Sequence, residues 1–167
     1  MNIQTQLKTD YQTFVNVANL LTDEQLAQQR NGKWSVAEVM QHLYLSARPV
    51  VRLMSGPRAV FDQWGTPDSP SKPYDEIAEA YRIALRSGRK APDNMSPRPE
   101  DTEQPRAVID RFAAVYESLI EAIETWEEAD FDRYQLPHPA LGLITLREMV
   151  YFTSIHTQHH FILLELP

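Results

Sequence analysis

No cysteine occurs among the 167 residues. Disulfides, thiolate metal ligands and a cysteine nucleophile are excluded together, and imidazole and carboxylate remain as the strong metal-ligating side chains. Basic residues are also in short supply: 16 Lys and Arg stand against 23 Asp and Glu, for a net charge of -7. They are scattered rather than gathered into a stripe, so the chain has no electrostatic footprint for a phosphate backbone and nucleic acid is not an expected partner. No apolar run approaches the roughly 20 residues of a membrane span. The opening segment, Met1 to Lys8, lacks the basic and apolar regions of a signal peptide. A cytoplasmic protein with no membrane partner is the expectation.

The 43% of hydrophobic residues is that of a globular protein, and residues 1–167 are expected to form a single domain. Four segments carry helical periodicity and none shows sustained period-two alternation, which reads as an all-α chain. The first runs from Ile3 to Leu21, with Leu7, Tyr11, Phe14 and Ala18 on its apolar side. A short turn follows, opened by the capping-box pair Thr22 and Gln25. The second helix starts at the capping box Ser35 to Glu38, carries Val36, Val39, Met40, Leu43, Ala47 and Val50, contains Pro49 as an expected kink, and stops at Gly56-Pro57. The third follows Pro105, with Val108, Phe112, Val115 and Leu119 on one side; the fourth opens at the capping box Thr145 to Glu148. Between the second and third lies a stretch from Pro57 to Pro105 that holds eight of the twelve prolines. It includes a smaller helical pattern over Tyr74 to Ser87, with Ile77, Tyr81 and Leu85 as its apolar side. A connection of this length is expected to act as a crossover or a functional lid.

Three of the five histidines crowd into His156-Thr157-Gln158-His159-His160. At about 100° per residue, and taking Met149 as reference, His156 and His160 fall about 20° to either side of the centre of the fourth helix's apolar stripe, while His159 falls about 80° away at its edge. Residues four apart on a helix project from one face, so His156 and His160 form a chelating pair. His42 lies about 120° from Val36, at the boundary of the second helix's buried side, where it suits a ligand at the mouth of a bundle. The competing reading is a hydrogen-bonded core pair with no metal. Two inward imidazoles without a cation are costly, since each buried nitrogen needs a partner and neighbouring rings disfavour protonation.

Trp34, Ser35, Glu38 and His42, followed by Thr145, His156 and His160, match a W-S-x-x-E-x-x-x-H segment and a threonine-capped last helix bearing H-x-x-x-H. With them the chain resembles the DinB-like superfamily over nearly its whole length. The resemblance implies an up-down-down-up four-helix bundle in which the long proline-rich connection crosses between the second and third helices. It also implies a divalent metal, zinc or nickel, held by His42, His156 and His160. Relatives include thiol-dependent S-transferases and a mycothiol-dependent isomerase, and the family contains dimers. The implied partners are therefore a small-molecule substrate, a low-molecular-weight thiol among them, and a second copy in a homodimer.

A metal with an open position lowers the pKa of bound water or thiol. The expected function is accordingly a metal-dependent enzyme that activates a thiol or water, for S-transfer or for hydrolysis of a small substrate. Zincin-type peptide hydrolysis is disfavoured, because no glutamate lies between His156 and His160. Glu38, His159 and Tyr44 are candidate catalytic helpers, each with an ordinary alternative as capping partner, edge residue and packing residue respectively. His138, set between Pro137 and Pro139, reads as a structural residue of an extended loop. Trp34, Trp64 and Trp126 read as core or loop anchors. The alternative to an enzyme is a non-catalytic, stress-related bundle that binds a metal or a small ligand; a third reading is a helical interaction module without metal.

Overall fold

The computed structural model describes residues 2–166. Helix α1 (Ile3–Asn19) and the short α2 (Asp23–Ala27) precede the long α3 (Val36–Ser55). A 3-10 segment, Arg58–Trp64, leads to α4 (Tyr74–Arg86), and two more, Asp93–Met95 and Pro99–Thr102, lead to α5 (Pro105–Glu124). The short α6 (Asp130–Arg133), strands β1 (Gln135–His138) and β2 (Gly142–Thr145), and α7 (Leu146–Ile162) complete the order.

Local chemistry starts these helices where side chains satisfy the first turn. Thr22, Ser35 and Thr145 each accept a hydrogen bond from the backbone N–H three residues on, and the Gln25, Glu38 and Glu148 side chains accept one from the cap's own N–H. Pro105 opens α5, where a missing N–H costs nothing. Helix α3 continues through Pro49, which leaves the Leu45 carbonyl without its usual donor.

Side-chain contacts define the directions of the four long helices. Tyr11 lies against Tyr116 and Arg106 reaches Asp23 at 2.7 Å, so the start of α5 meets the end of α1 and the two run antiparallel. The Trp126 indole beyond α5 donates to the Met54 carbonyl at 2.9 Å, which brings the ends of α3 and α5 together and makes them parallel. Ser154 donates to Asp10 at 2.6 Å and Phe14 packs on Phe161, so α1 and α7 run parallel. The order is up-down-down-up. Because α3 and α5 point the same way, residues 57–104 must return along the length of the bundle before α5 begins.

The stripes legible in sequence meet in the core: Leu7, Phe14, Met40, Leu43, Phe112 and Leu119 have no exposed surface. The small β1–β2 hairpin is an addition to the all-α expectation. Its strands pair Gln135 with Thr145 through to His138 with Gly142. Four residues per strand, one of them Pro137, are too few to carry a period-two pattern. The hairpin is fixed from outside instead: the Gln135 side chain donates to the Trp64 carbonyl at 2.7 Å, and Leu146 N–H donates to the Tyr134 carbonyl at 2.9 Å. His138 is thus the last residue of β1 rather than part of a loop.

Candidate functional site

Antiparallel packing of α3 against α7 brings the first half of one helix to the second half of the other, and that is where the separated histidines meet. The Nε2 atoms of His42 and His156 lie 3.0 Å apart, and those of His160 and His156 3.1 Å apart. Each of the three offers one ligating nitrogen, and these nitrogens all fall within 4.8 Å of one another. His42 and His156 are buried and His160 is partly buried.

The His42 ring is oriented by the chain between α4 and α5. Its Nδ1 sits 2.7 Å from the Met95 carbonyl, an acceptor only, so Nδ1 carries the proton and Nε2 presents its lone pair to the other histidines. With every ring neutral, His156 Nε2 carries at most one proton. At most one of its two short contacts is then a proper hydrogen bond. Protonating the rings does not relieve this. Burial, followed by the neighbouring imidazoles His160 and His42, holds His156 well below the usual histidine range. Burial first and then His42 and His159 push His160 down to about 3. His42 is lowered by burial against the opposing hydrogen bond it donates to the Met95 carbonyl. The cluster is three neutral imidazoles, and His42 turns a bare Nε2 lone pair toward the other two.

The cluster opens on a cavity of about 670 Å³, within the range of small-molecule sites. Its wall comes from α3, α4, α7, the β-hairpin and the segment around Met95. His159, read as an edge residue, lines this cavity; it is half-buried and its ring meets Tyr81 edge-on at 5.4 Å. Burial lowers its pKa. Glu38 and Tyr44 are not among the cavity-lining residues. The Glu38 carboxylate is engaged by Ser35 N–H at 2.7 Å and by the Gln29 amide at 2.8 and 2.9 Å. The Tyr44 ring lies under the Arg48 guanidinium.

Three residues at the site escaped sequence reasoning. The Met95 carbonyl is a backbone group on an irregular segment and leaves no sequence signal. Tyr81 was legible as part of the α4 apolar stripe, and it packs edge-on against His156, with burial pushing its hydroxyl up to about 12. His138 sets its ring edge-on 4.1 Å from Phe152 and accepts at Nδ1 from Ala140 and Leu141 N–H, both at 3.1 Å. Burial lowers it to about 4, and two N–H groups aimed at Nδ1 act in the same direction.

Fold and site together define a class: an up-down-down-up four-helix bundle with a histidine cluster at the wall of a cavity. The chain belongs to the DinB superfamily, whose family model matches residues 6–164. Among its relatives is the uncharacterized protein YuaE of Bacillus subtilis (strain 168), 28% identical over 143 residues that cover 84% of this chain and 81% of YuaE. Solved structures share the fold. YfiT from Bacillus subtilis, described as a probable metal-dependent hydrolase with an unusual four-helix bundle topology, superposes with a TM-score of 0.59 at 19% identity, covering 95% of this chain and 79% of YfiT. TT2238, a four-helix bundle protein, gives 0.55 at 16% identity, covering 96% and 93% of the two chains. The mycothiol-dependent maleylpyruvate isomerase gives 0.61 at 15% identity, covering 99% of this chain and 60% of the isomerase.

Proposed function

We propose that the protein is a divalent-metal-dependent enzyme in which His42, His156 and His160 hold zinc or nickel and a small substrate is attacked by an activated thiol or water. The observation that carries this reading is the convergence of three neutral Nε2 atoms within 4.8 Å at the wall of the cavity. The donor set fits a cation. All-nitrogen ligation by imidazole suits zinc and nickel, and a cation would accept the lone pair that His42 turns inward. When bound, it would lower the pKa of a ligated water or thiol and so supply a nucleophile near neutral pH.

The chain's own residues set the conditions for that chemistry. The Met95 carbonyl fixes the His42 tautomer and aims its Nε2 at the site, as a carbonyl or carboxylate commonly does for a ligating histidine. Burial keeps the three rings deprotonated and available as ligands. The apolar wall limits water at the reacting centre. Two relatives in fold support the reaction class: YfiT through its described metal-dependent hydrolysis, and the isomerase through its dependence on a thiol.

Elemental analysis of the purified protein beside a His42→Ala, His156→Ala, His160→Ala variant tests the site. Near-stoichiometric metal in the wild type and its loss in the variant is the expected result. Turnover of thiol acceptors and of simple esters and amides by the metal-loaded protein then tests the reaction. No metal after reconstitution overturns the proposal, and metal without turnover leaves a binding protein.

A further inference from the structure

The three histidines mark only one end of the cavity. On α3 the wall descends from His42 through Ala47 and Val50 to Leu53; on α7, which runs the other way, it descends from His160 through His156 and Phe152 to Met149. Each path is eleven residues of helix, or about 16 Å at the helical rise. The two walls therefore keep the same length and direction, and Tyr81, Ala84 and Leu85 of α4 line the same space. The space is a slot parallel to the bundle axis, with the three clustered histidines at one end, Leu53 and Met149 at the other, and His138 against Phe152 between them.

Several polar side chains along α3, α5 and α7 are already paired, whereas Tyr81, Lys90, Asp93, His138 and His159 also line the cavity. Ser46 donates to the His42 carbonyl at 2.9 Å and Thr153 to the Met149 carbonyl at 3.0 Å, each turned back onto its own helix. The Tyr116 hydroxyl is paired with Thr157 at 2.5 Å. The Arg89 guanidinium donates to the Pro139 carbonyl at 2.8 Å. A polar substrate body lying along α3 and α7 would lose water and meet hydroxyls already engaged, whereas an apolar one gains by leaving water.

We infer that the substrate carries an unbranched apolar tail, acyl or alkyl, that lies along α3 and α7 toward Leu53 and Met149 and ends in a polar head at the histidines. The assignment of the head rests on the metal reading above; that of the tail rests on the slot alone. Ala47 of α3 and Ala84 of α4 are small residues of the helical wall, and a larger side chain at either shortens the tail admitted.

Calorimetry of zinc-loaded protein with n-alkyl hydroxamic acids of increasing chain length tests this. Kd is expected to fall about fourfold for each added methylene, until the tail fills the slot. Ala47→Phe and Ala84→Phe, each checked for folding by circular dichroism, should end that gain at a shorter chain and leave the shortest member unchanged. A Kd independent of chain length overturns the inference, as does unchanged long-chain affinity in both folded variants. A second arm uses metal-free protein and n-alkanols displacing 1-anilinonaphthalene-8-sulfonate, and the same chain-length gain is expected there. That gain without any metal uptake upholds the tail slot and removes the metal reading; metal uptake with no gain in either arm overturns the slot alone.

Discussion

Replacing His156 by leucine should cost far more stability with metal present than without it. His156 is buried, its ring stacks on Phe152 at 5.1 Å, and its Nε2 is the partner 3.0 Å from the Nε2 of buried His42. A buried polar group left without a partner costs ~1–3 kcal/mol. Leucine retains most of the apolar packing but leaves the His42 Nε2 unpaired, so in metal-free buffer the variant is expected to fall ~1–3 kcal/mol below the wild type. With zinc or nickel at a hundredfold excess over Kd, the wild type gains ~2.7 kcal/mol from binding to the folded state alone. For a chain of this length that raises Tm by roughly 5–11 °C. The variant, with one of three ligands gone, should gain little. Differential scanning calorimetry of both proteins, each with chelator and with metal, reads the four values directly. An equal rise in both proteins, or no rise in the wild type, would refute the reasoning, since the cation would then bind elsewhere or not at all.

Thr145→Ala removes the cap of α7, which accepts from Glu148 N–H at 3.1 Å and pairs with Ser71 at 2.7 Å; it should cost ~1–2 kcal/mol, seen as a lower urea midpoint, and a change under ~0.5 kcal/mol would show that β2 holds the helix start unaided. His138 predicts a pH dependence. Its folded pKa of about 4 lies below the unfolded value, so the unfolded chain binds more protons as pH falls. Its contribution is complete above about pH 6.5 and is lost progressively toward pH 4, by up to ~3 kcal/mol. His138→Gln should flatten that part of the profile; identical stability-versus-pH curves for variant and wild type would exclude His138 as the source.

The starts of the helices and the apolar stripes were readable because both are local. A capping box joins residues three apart, as at Thr22, Ser35 and Thr145, and a helix stripe repeats every three or four. The same arithmetic placed His156 and His160 on one face of α7. It placed His42 at the boundary of the buried side of α3, yet His42 is 4% exposed. A helical wheel counts only the residues of its own helix, and the flank it left open is covered by the segment carrying Met95. His159 moved from edge to cavity wall for a like reason, since Tyr81 of α4 packs against it. The β-hairpin was not legible at all, its pairing being set by contacts with distant Trp64 and with the α7 cap.

By itself, then, the sequence determined which residue types were available and which helices would carry them: no thiols, five imidazoles, and a pair of them one turn apart on an apolar face. Short-range hydrogen bonds and the helical period suffice for that, because they act between neighbours in the chain. Only the tertiary structure decided that His42, 114 residues from His156, closes the cluster, that a backbone carbonyl from the connection between α4 and α5 sets its tautomer, and that a slot lies beneath. Those outcomes depend on α3 and α7 packing antiparallel and on where residues 57–104 settle. Packing of that kind is fixed by the burial of apolar surface over the whole chain, and no short window of residues contains it.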